Sequence, residues 1–524
     1  MSQELAPEDS VVAEEMTRPP LRGGKLAITA LVLALGTFMQ VLDTTIANVA
    51  LPTIAGNLGA STDQSTWIIT SFVVANGIGV PMTGWLMRRY GVVRTFVASV
   101  FAFTIASLLC GIAWNLEALI FFRALQGLVS GPMIPGSQAL MLSIFPREKQ
   151  ATALGIWSIT TLVAPICGPL LGGYISDNYF WGWIFLMNVP VGIIVTLLCW
   201  SNLRSRETET VKLSVDAVGM GLLVLWAGAL QIMLDRGKNA DWFASEMIVM
   251  LAIVSVVGFL AFLVWELTEE HPIVDLSLFR SPNFALGTLV FCLGNGIFLS
   301  NMLLMSLWLQ THMGYTATWA GLVTAPTGVA AVLLTPLVIW ALARMDARFV
   351  ATIAFLASAV SYTMRASLTP DASPEAIVLP LIVQGIGSAT FFVATISIVL
   401  DGIPQDRVPS AAGLSNFARI IISGFSVSLM TTLWDHREAF HQSRLADVVS
   451  SAPLPFDGAL SSLQGTGLSE LGAKAAVTQE MVSQAYLLAS VDLFQLSCWL
   501  SLASAVLVWF CRGTKPAARL VAPD

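Results

Sequence analysis

The chain has 524 residues, of which 56% are hydrophobic and only 11% charged, far below the roughly 25% charged of an average soluble protein. Its 26 basic residues are outnumbered by 33 acidic ones for a net charge of -7, which excludes a basic nucleic-acid face. This is the composition of a polytopic membrane protein, in which the distribution of Lys and Arg among the loops, and not their sum, carries the topology.

Residues 1–24 contain Glu4, Glu8, Asp9, Glu14 and Glu15. They read as a polar cytoplasmic tail and not as a cleaved signal peptide, which would open with a basic region. The first apolar stretch, Leu26 to Pro52, is long enough to cross a bilayer and carries one carboxylate, Asp43. A charge there costs several kcal/mol, about 3 on insertion scales, so it faces a bundle interior or an aqueous path. Function is the default reading, and an Asp held by interhelical hydrogen bonds for packing is the alternative.

Further apolar windows fall near 65–87, 95–113, 116–142, 151–175, 183–203, 217–234, 246–267, 284–309, 318–342, 349–367, 376–400, 411–433 and 488–511, for fourteen spans in all. An even count places both termini on one side. Arg22, Lys25, Arg88, Arg89, Arg94, Arg147, Lys149, Arg204, Arg206, Lys212, Arg344, Arg348, Arg512, Lys515 and Arg519 share that side, which the positive-inside rule makes cytoplasmic. The opposite loops hold chiefly Arg236, Lys238, Arg437, Arg444 and Lys474.

The chain contains an internal repeat. Gln126-Gly127, Pro146 and Gly155 recur with the same spacing as Gln384-Gly385, Pro404 and Gly413, as duplicated halves require. An all-α fold follows, with a six-helix bundle over 25–204, a second over 283–513, and an inserted transmembrane hairpin with its linkers over 205–282, turning at Asp235-Arg236-Gly237. Residues 514–524 form a second cytoplasmic tail. The one large segment outside the bilayer, 434–487, is expected to be partly helical: Ala473–Met481 extends the last span and Ser450–Gly467 is a loop. It is a solvated connector or a surface for docking a partner.

The six cysteines are scattered singly and read as small core residues. There is no phosphate-binding loop, no H-E-x-x-H and no G-x-S-x-G, and His271, His312, His436 and His441 lack metal-ligand spacing. Neither an enzyme activity nor a metal or other cofactor is expected. Arg123, in FFRALQG, lies at about the depth of Asp43, near 12 Å from the outer end of its span at 1.5 Å per residue. The two charges are placed to share one layer. Arg419, in SNFARI, is a third intramembrane charge, and interhelical anchoring is the plainer role for either Arg.

In the fifth span, VAPICGPLLGGY puts Pro165 and Pro169 inside a helix beside Gly168, Gly172 and Gly173. Proline removes a helix hydrogen bond and glycine admits a close neighbour, which suits a gating hinge or a static kink. Gly84, Arg88, Arg89 and Gly91 lie in the tight turn GWLMRRYG, a positive-inside loop that could also latch helix ends.

LDTTIANVALP, GWLMRRYG, FFRALQG, APICGPLLGGYISDNYFWGWIFLMNVPVG, LQIMLDRGKNADWF, PIVDLSLFRSPNF and GYTATWAGL, in that order and with the inserted hairpin, resemble the EmrB-type drug:proton antiporters. These form the fourteen-helix branch of the major facilitator superfamily. The resemblance implies proton-driven export of hydrophobic drugs and uncoupler-like weak acids across the inner membrane of a Gram-negative bacterium. It also implies an EmrA-type periplasmic adaptor and a TolC-type outer-membrane channel as partners. Asp43 matches the first-helix acidic motif, Arg123 the fourth-helix basic motif, and Gly168, Pro169, Gly172 and Gly173 the antiporter motif. The turn departs from the superfamily pattern, with Met87-Arg88 where many relatives keep an Asp beside the Arg. Alternating access of two bundles around a central cavity then makes Asp43, with Arg123, the proton-coupling pair, and Arg419, Phe38, Gln40, Asn48 and Trp308 the cavity residues. The competing functions are a dedicated exporter of one metabolite and a membrane receptor or enzyme without flux.

Overall fold

A computed structural model describes residues 21–60, 62–146, 149–211, 216–269, 272–369, 372–404, 407–451 and 453–513. The acidic tail through residue 20, Arg147, Lys212, His271, and the terminal segment 514–524 with Lys515 and Arg519 lie outside them. Every regular element among the described residues is helical.

The first bundle comprises α1 (Gly23–Leu58), the bent pair α2 (Trp67–Gly79) and α3 (Thr83–Tyr90), α4 (Val92–Gly111), α5 (Leu116–Ser130) continued by α6 (Met133–Ile144), α7 (Gln150–Asn178) and α8 (Asn188–Leu203). The inserted hairpin is α9 (Ala217–Arg236) and α10 (Glu246–Thr268). The second bundle comprises α11 (Pro282–Thr311), α12 (Ala317–Thr324) with α13 (Pro326–Leu342), α14 (Ala347–Arg365), α15 (Pro374–Val399), α16 (Val408–Ser451), the short α17 (Pro453–Gly465) and α18 (Glu470–Leu507).

Among the described residues twelve helices are long and apolar enough to cross a membrane, and thirteen when α2 and α3, bent by 55°, count as one span. The remaining predicted window lies on α7, whose 29 residues are also long enough to span. Pro165 and Pro169 sit inside α7 without breaking its run. Lipid-facing surfaces are apolar: Ile253, Val256, Val257, Leu260 and Val264 all project from α10. Trp114, Tyr179, Phe180 and Trp183 gather exposed at one rim, where amphipathic rings favour the interface.

The predicted loop Ser450–Gly467 is corrected, because Pro453 opens α17 instead of breaking structure and the turn after Gly465 closes it, with Gly467 at φ 96°. Proline is at home in a first helical turn, where its missing N–H costs nothing. Ser469 caps α18 by accepting from Gly472 N at 3.1 Å. Residues 434–487 are therefore mostly extensions of α16 and α18, spanned at their tip by α17.

The bundles meet at the end that carries Arg88, Arg89, Arg344 and Arg348. Gly84 of α3 abuts Ser410 of α16, Gly155 of α7 abuts Ile339 of α13, and Asn416 donates to Gln138 Oε1 at 3.2 Å. Residues of α9 reach both bundles: Asp235 accepts from Thr70 of α2, and the Leu234 carbonyl accepts from Ser428 of α16 at 2.9 Å. Lys238, just past α9, pairs with Asp435 at 2.9 Å.

Candidate functional site

The first-bundle interior is a closed polar network built from α1, α4, α5 and α8 around one ion pair. Asp43 and Arg123 are 0% and 1% exposed and meet at 2.5 Å. The other carboxylate oxygen accepts from Gln126 Nε2 at 3.1 Å and Asn188 Nδ2 at 3.0 Å. Both amides also donate to Ser107 Oγ, at 2.8 and 3.0 Å. Arg123 donates further to Gln126 Oε1 at 2.8 Å and to the Ile68 carbonyl at 3.2 Å. Its guanidinium lies 4.2 Å from the Phe72 ring centre and 5.3 Å from that of Phe185, both apolar walls that exclude water.

The local sequence explains this geometry. Arg123 and Gln126 are three apart on α5 and share a helix face. The close approach of α7 to α1 depends on Gly168, where a Cβ would lie 2.2 Å from Thr45 Oγ1, two residues from Asp43. Charged hydrogen bonds in a dry interior are strong, and here both charges are neutralised and bonded, which is what a buried pair requires.

The arrangement can do one thing chemically: it can exchange a salt bridge for a neutral acid. A proton on Asp43 cancels the attraction to Arg123 and turns one acceptor oxygen into a donor, so the bonds from Gln126, Asn188 and Arg123 cannot all persist. Because these partners lie on α5 and α8, with Ile68 on α2, protonation is a packing event for the whole bundle.

Other predicted site residues lie apart. Arg419 is half-buried on α16, donates to Asn416 Oδ1 at 3.2 Å and sits 5.7 Å from the Phe291 ring centre. Phe38 is half-buried, Asn48 exposed, and Gln40 buried with its Oε1 lacking a hydrogen-bond partner. Trp308 is 2% exposed in an outer core with Leu304, Met305 and Trp434. In this conformer it is a packing residue and not a cavity wall, because the flanking apolar faces of α11 and α16 close over it.

In the turn, Gly91 has a φ of 94° and Arg88 is exposed, while Arg89 lies against the Trp85 and Tyr90 rings. A carboxylate does reach this turn, from outside it: Glu207 accepts from Val93 N at 2.9 Å and Arg94 N at 2.8 Å at the start of α4. Gly172 is buried and Gly173 half-buried on α7. Asn188 and Ser107 escaped the sequence reading. Asn188, the one amide in an otherwise apolar FLMNVPVG, was the available signal.

A model of the Major Facilitator Superfamily matches residues 33–427. Solved structures agree on the fold: the proton:xylose symporter XylE gives a TM-score of 0.60 at 12% identity, covering 94% of this chain and 97% of its own. The human organic anion transporter MFSD10 gives 0.58 at 12% identity, covering 93% and 100%. Much nearer in sequence is the multidrug export protein EmrB of Escherichia coli K12, 46% identical over 494 residues that make up 94% of this chain and 96% of that one. The fatty acid resistance protein FarB of Neisseria gonorrhoeae is 43% identical, over 95% of this chain and 98% of its own. The chain belongs to the EmrB-type multidrug exporters of the major facilitator superfamily.

Proposed function

We propose that this exporter is a drug:proton antiporter in which Asp43 is the proton carrier and Arg123 its counter-charge. The observation that carries the reading is the sealed, fully bonded Asp43–Arg123 pair, a state whose stability depends on one ionisation. A proton arriving from the periplasm releases Arg123 and loosens α1 from α5 and α8. Its departure to the cytoplasm re-forms the pair. One pH unit supplies about 1.4 kcal/mol per proton and 100 mV about 2.3 per charge, enough for concentrative export.

The bundles rock about a central cavity, with Gly84 against Ser410 as part of a cytoplasmic latch and α7, at Pro165, Gly168, Pro169, Gly172 and Gly173, as the flexing element. Arg419 meets the anionic form of weak-acid substrates, a reading supported by the fatty acid resistance named for one relative. Phe38 of α1 lines the same cavity, whereas Gln40, two residues further on, faces the opposite side of the helix and is buried. The protein resides in the inner membrane with both termini cytoplasmic, and the extended pair α16 and α18 with α17 docks an EmrA-type adaptor that leads to a TolC-type channel.

The test is transport in proteoliposomes under an imposed pH gradient, with a panel of hydrophobic drugs and weak acids. Wild type accumulates substrate in proportion to the gradient, and Asp43→Asn is uncoupled from it. Wild-type coupling in Asp43→Asn sinks the proposal.

A further inference from the structure

Every side chain bonded to the Asp43 carboxylate is a donor. Oδ2 faces Arg123, while Oδ1 accepts from Gln126 Nε2 at 3.1 Å and from Asn188 Nδ2 at 3.0 Å. Such a shell suits the ionised group. A protonated Asp43 brings one more hydrogen, buried with the rest, and that hydrogen needs an acceptor.

The neighbours differ in whether they can become one. The guanidinium of Arg123 has no acceptor to offer. Gln126 has an amide oxygen, but it already accepts from Arg123 at 2.8 Å and from the Cys110 thiol at 3.5 Å, so reversing that amide would turn its NH2 group against the guanidinium. Asn188, 3% exposed at the start of α8, is differently placed. Its Nδ2 makes the bond to Asp43 and one to Ser107 Oγ, each at 3.0 Å, and its Oδ1 accepts none among the described residues. A half-turn of this amide sets Oδ1 where Nδ2 stands, within hydrogen-bond reach of both oxygens. Ser107 Oγ now accepts from both amides, and after the half-turn its hydroxyl donates to Asn188 instead. The reversal therefore gives up no bond that it does not replace, and amide orientation follows such networks.

We infer that Asn188 is the positioning residue of the proton site: its amide reverses when Asp43 is protonated, which directs the proton to Oδ1 and leaves Oδ2 uncharged beside Arg123. The inference rests on Asp43 being the proton carrier. The one bond made is Oδ1–H, and it breaks again when the proton leaves. Of the elements around Asp43, α5 presents the charge of Arg123 and α4 the thiol of Cys110, whereas α8 presents Asn188 and α7 Gly168, neither of them titratable. The bond between α1 and α8 thus changes from a charge-assisted one to a weaker neutral one as the proton binds.

The test records infrared difference spectra of the purified full chain in lipid nanodiscs as the pH is lowered, with asparagine carrying carbon-13 at its side-chain carbonyl. In wild type a protonated-carboxyl band appears together with a shift of a labelled amide band, and Asp43→Asn lacks both. Asn188→Leu, close in size but without an amide, lacks the labelled shift, and its proton-driven drug uptake in proteoliposomes falls at least about tenfold, the order set by one hydrogen bond to a charged group. Asn188→Ser also lacks the shift, but its hydroxyl can donate or accept and recovers part of the uptake; if the Leu variant fails to fold, the Ser variant decides. An Asp43 carboxyl band without the labelled shift, a labelled shift that survives in either folded Asn188 variant, or wild-type uptake in Asn188→Leu overturns the inference and leaves Asp43 as carrier. If no carboxyl band depends on Asp43, the carrier reading fails and the inference with it.

Discussion

A Cβ placed on Gly84 would lie 2.6 Å from the hydroxyl oxygen of Ser410 and 3.0 Å from its Cα, so the two bundles touch almost backbone to backbone at this point. No side chain larger than hydrogen fits while the contact stands. Gly84→Val is therefore expected to insert and fold, each bundle being intact, but to hold the basic end apart. Drug efflux falls at least about tenfold, the order expected when a conformer is penalised by 1.4 kcal/mol or more. Maleimide labelling of a cysteine at Gln138 or Asn416 rises in parallel, and unchanged labelling would refute the contact as a closure.

Breaking the ion pair from one side leaves a buried charge alone. Arg123→Leu, which strands Asp43, is expected to lower stability by about 3–5 kcal/mol, read as a fall in the unfolding midpoint. Asp43→Asn with Arg123→Gln removes both charges and recovers most of that loss, while proton-coupled transport stays absent. Recovery of coupling in the double variant would show that the proton travels elsewhere.

The linker ahead of α11 is pinned to the start of α16 by Asp275 and Arg407, 2.6 Å apart. Burial alone would raise the Asp275 carboxyl, but bonds from Ser277 and Arg407 outweigh it and hold the group below its ordinary 3.8. A carboxylate depressed in the folded state stabilises at pH above its ordinary value, and the contribution is lost as pH falls through the lower folded one. Wild type is thus more stable than Arg407→Ala at neutral pH, modestly so because the pair is partly exposed. The two melting curves converge only below pH 3.8; a difference that persists there would mean that Arg407 acts through something other than this charge.

The tip of the outer extension can be removed without entering the membrane. Replacing 452–468 with a short Gly-Ser linker leaves α16 and the capped start of α18 in place. Drug–proton exchange in vesicles is expected to persist and co-purification with an EmrA-type adaptor to fall several-fold. Undiminished co-purification would assign docking to another surface.

Much of this was legible in the chain because lipid imposes few solutions: apolar length, basic loops and a repeat left little freedom for the helices. Asp43 and Arg123 stood out for the same reason, each being an expensive residue in an apolar segment. Asn188 and Ser107 did not, because a lone amide or hydroxyl is cheap enough on a helix to need no partner, and only the packing of α4 and α8 against α1 gives them one. Ser450–Gly467 was expected to be a loop, yet Pro453 opens a helix within it, because a proline's meaning depends on whether it starts a helix or interrupts one. Trp308 was assigned to a cavity on its chemistry alone, and which face of α11 it occupies is decided by α16.

The inserted hairpin has a mechanical meaning beyond its two membrane crossings. Thr70 holds its far end from one side and Ser428 from the other, while its near end is joined by the chain to both halves. Any rotation that widens the gap between α2 and α16 at the outer rim must sever one of those two bonds before the other, so the hairpin has to ride with one half and slide along its neighbour. The more tenacious attachment thereby selects which half is the stator and which the rotor.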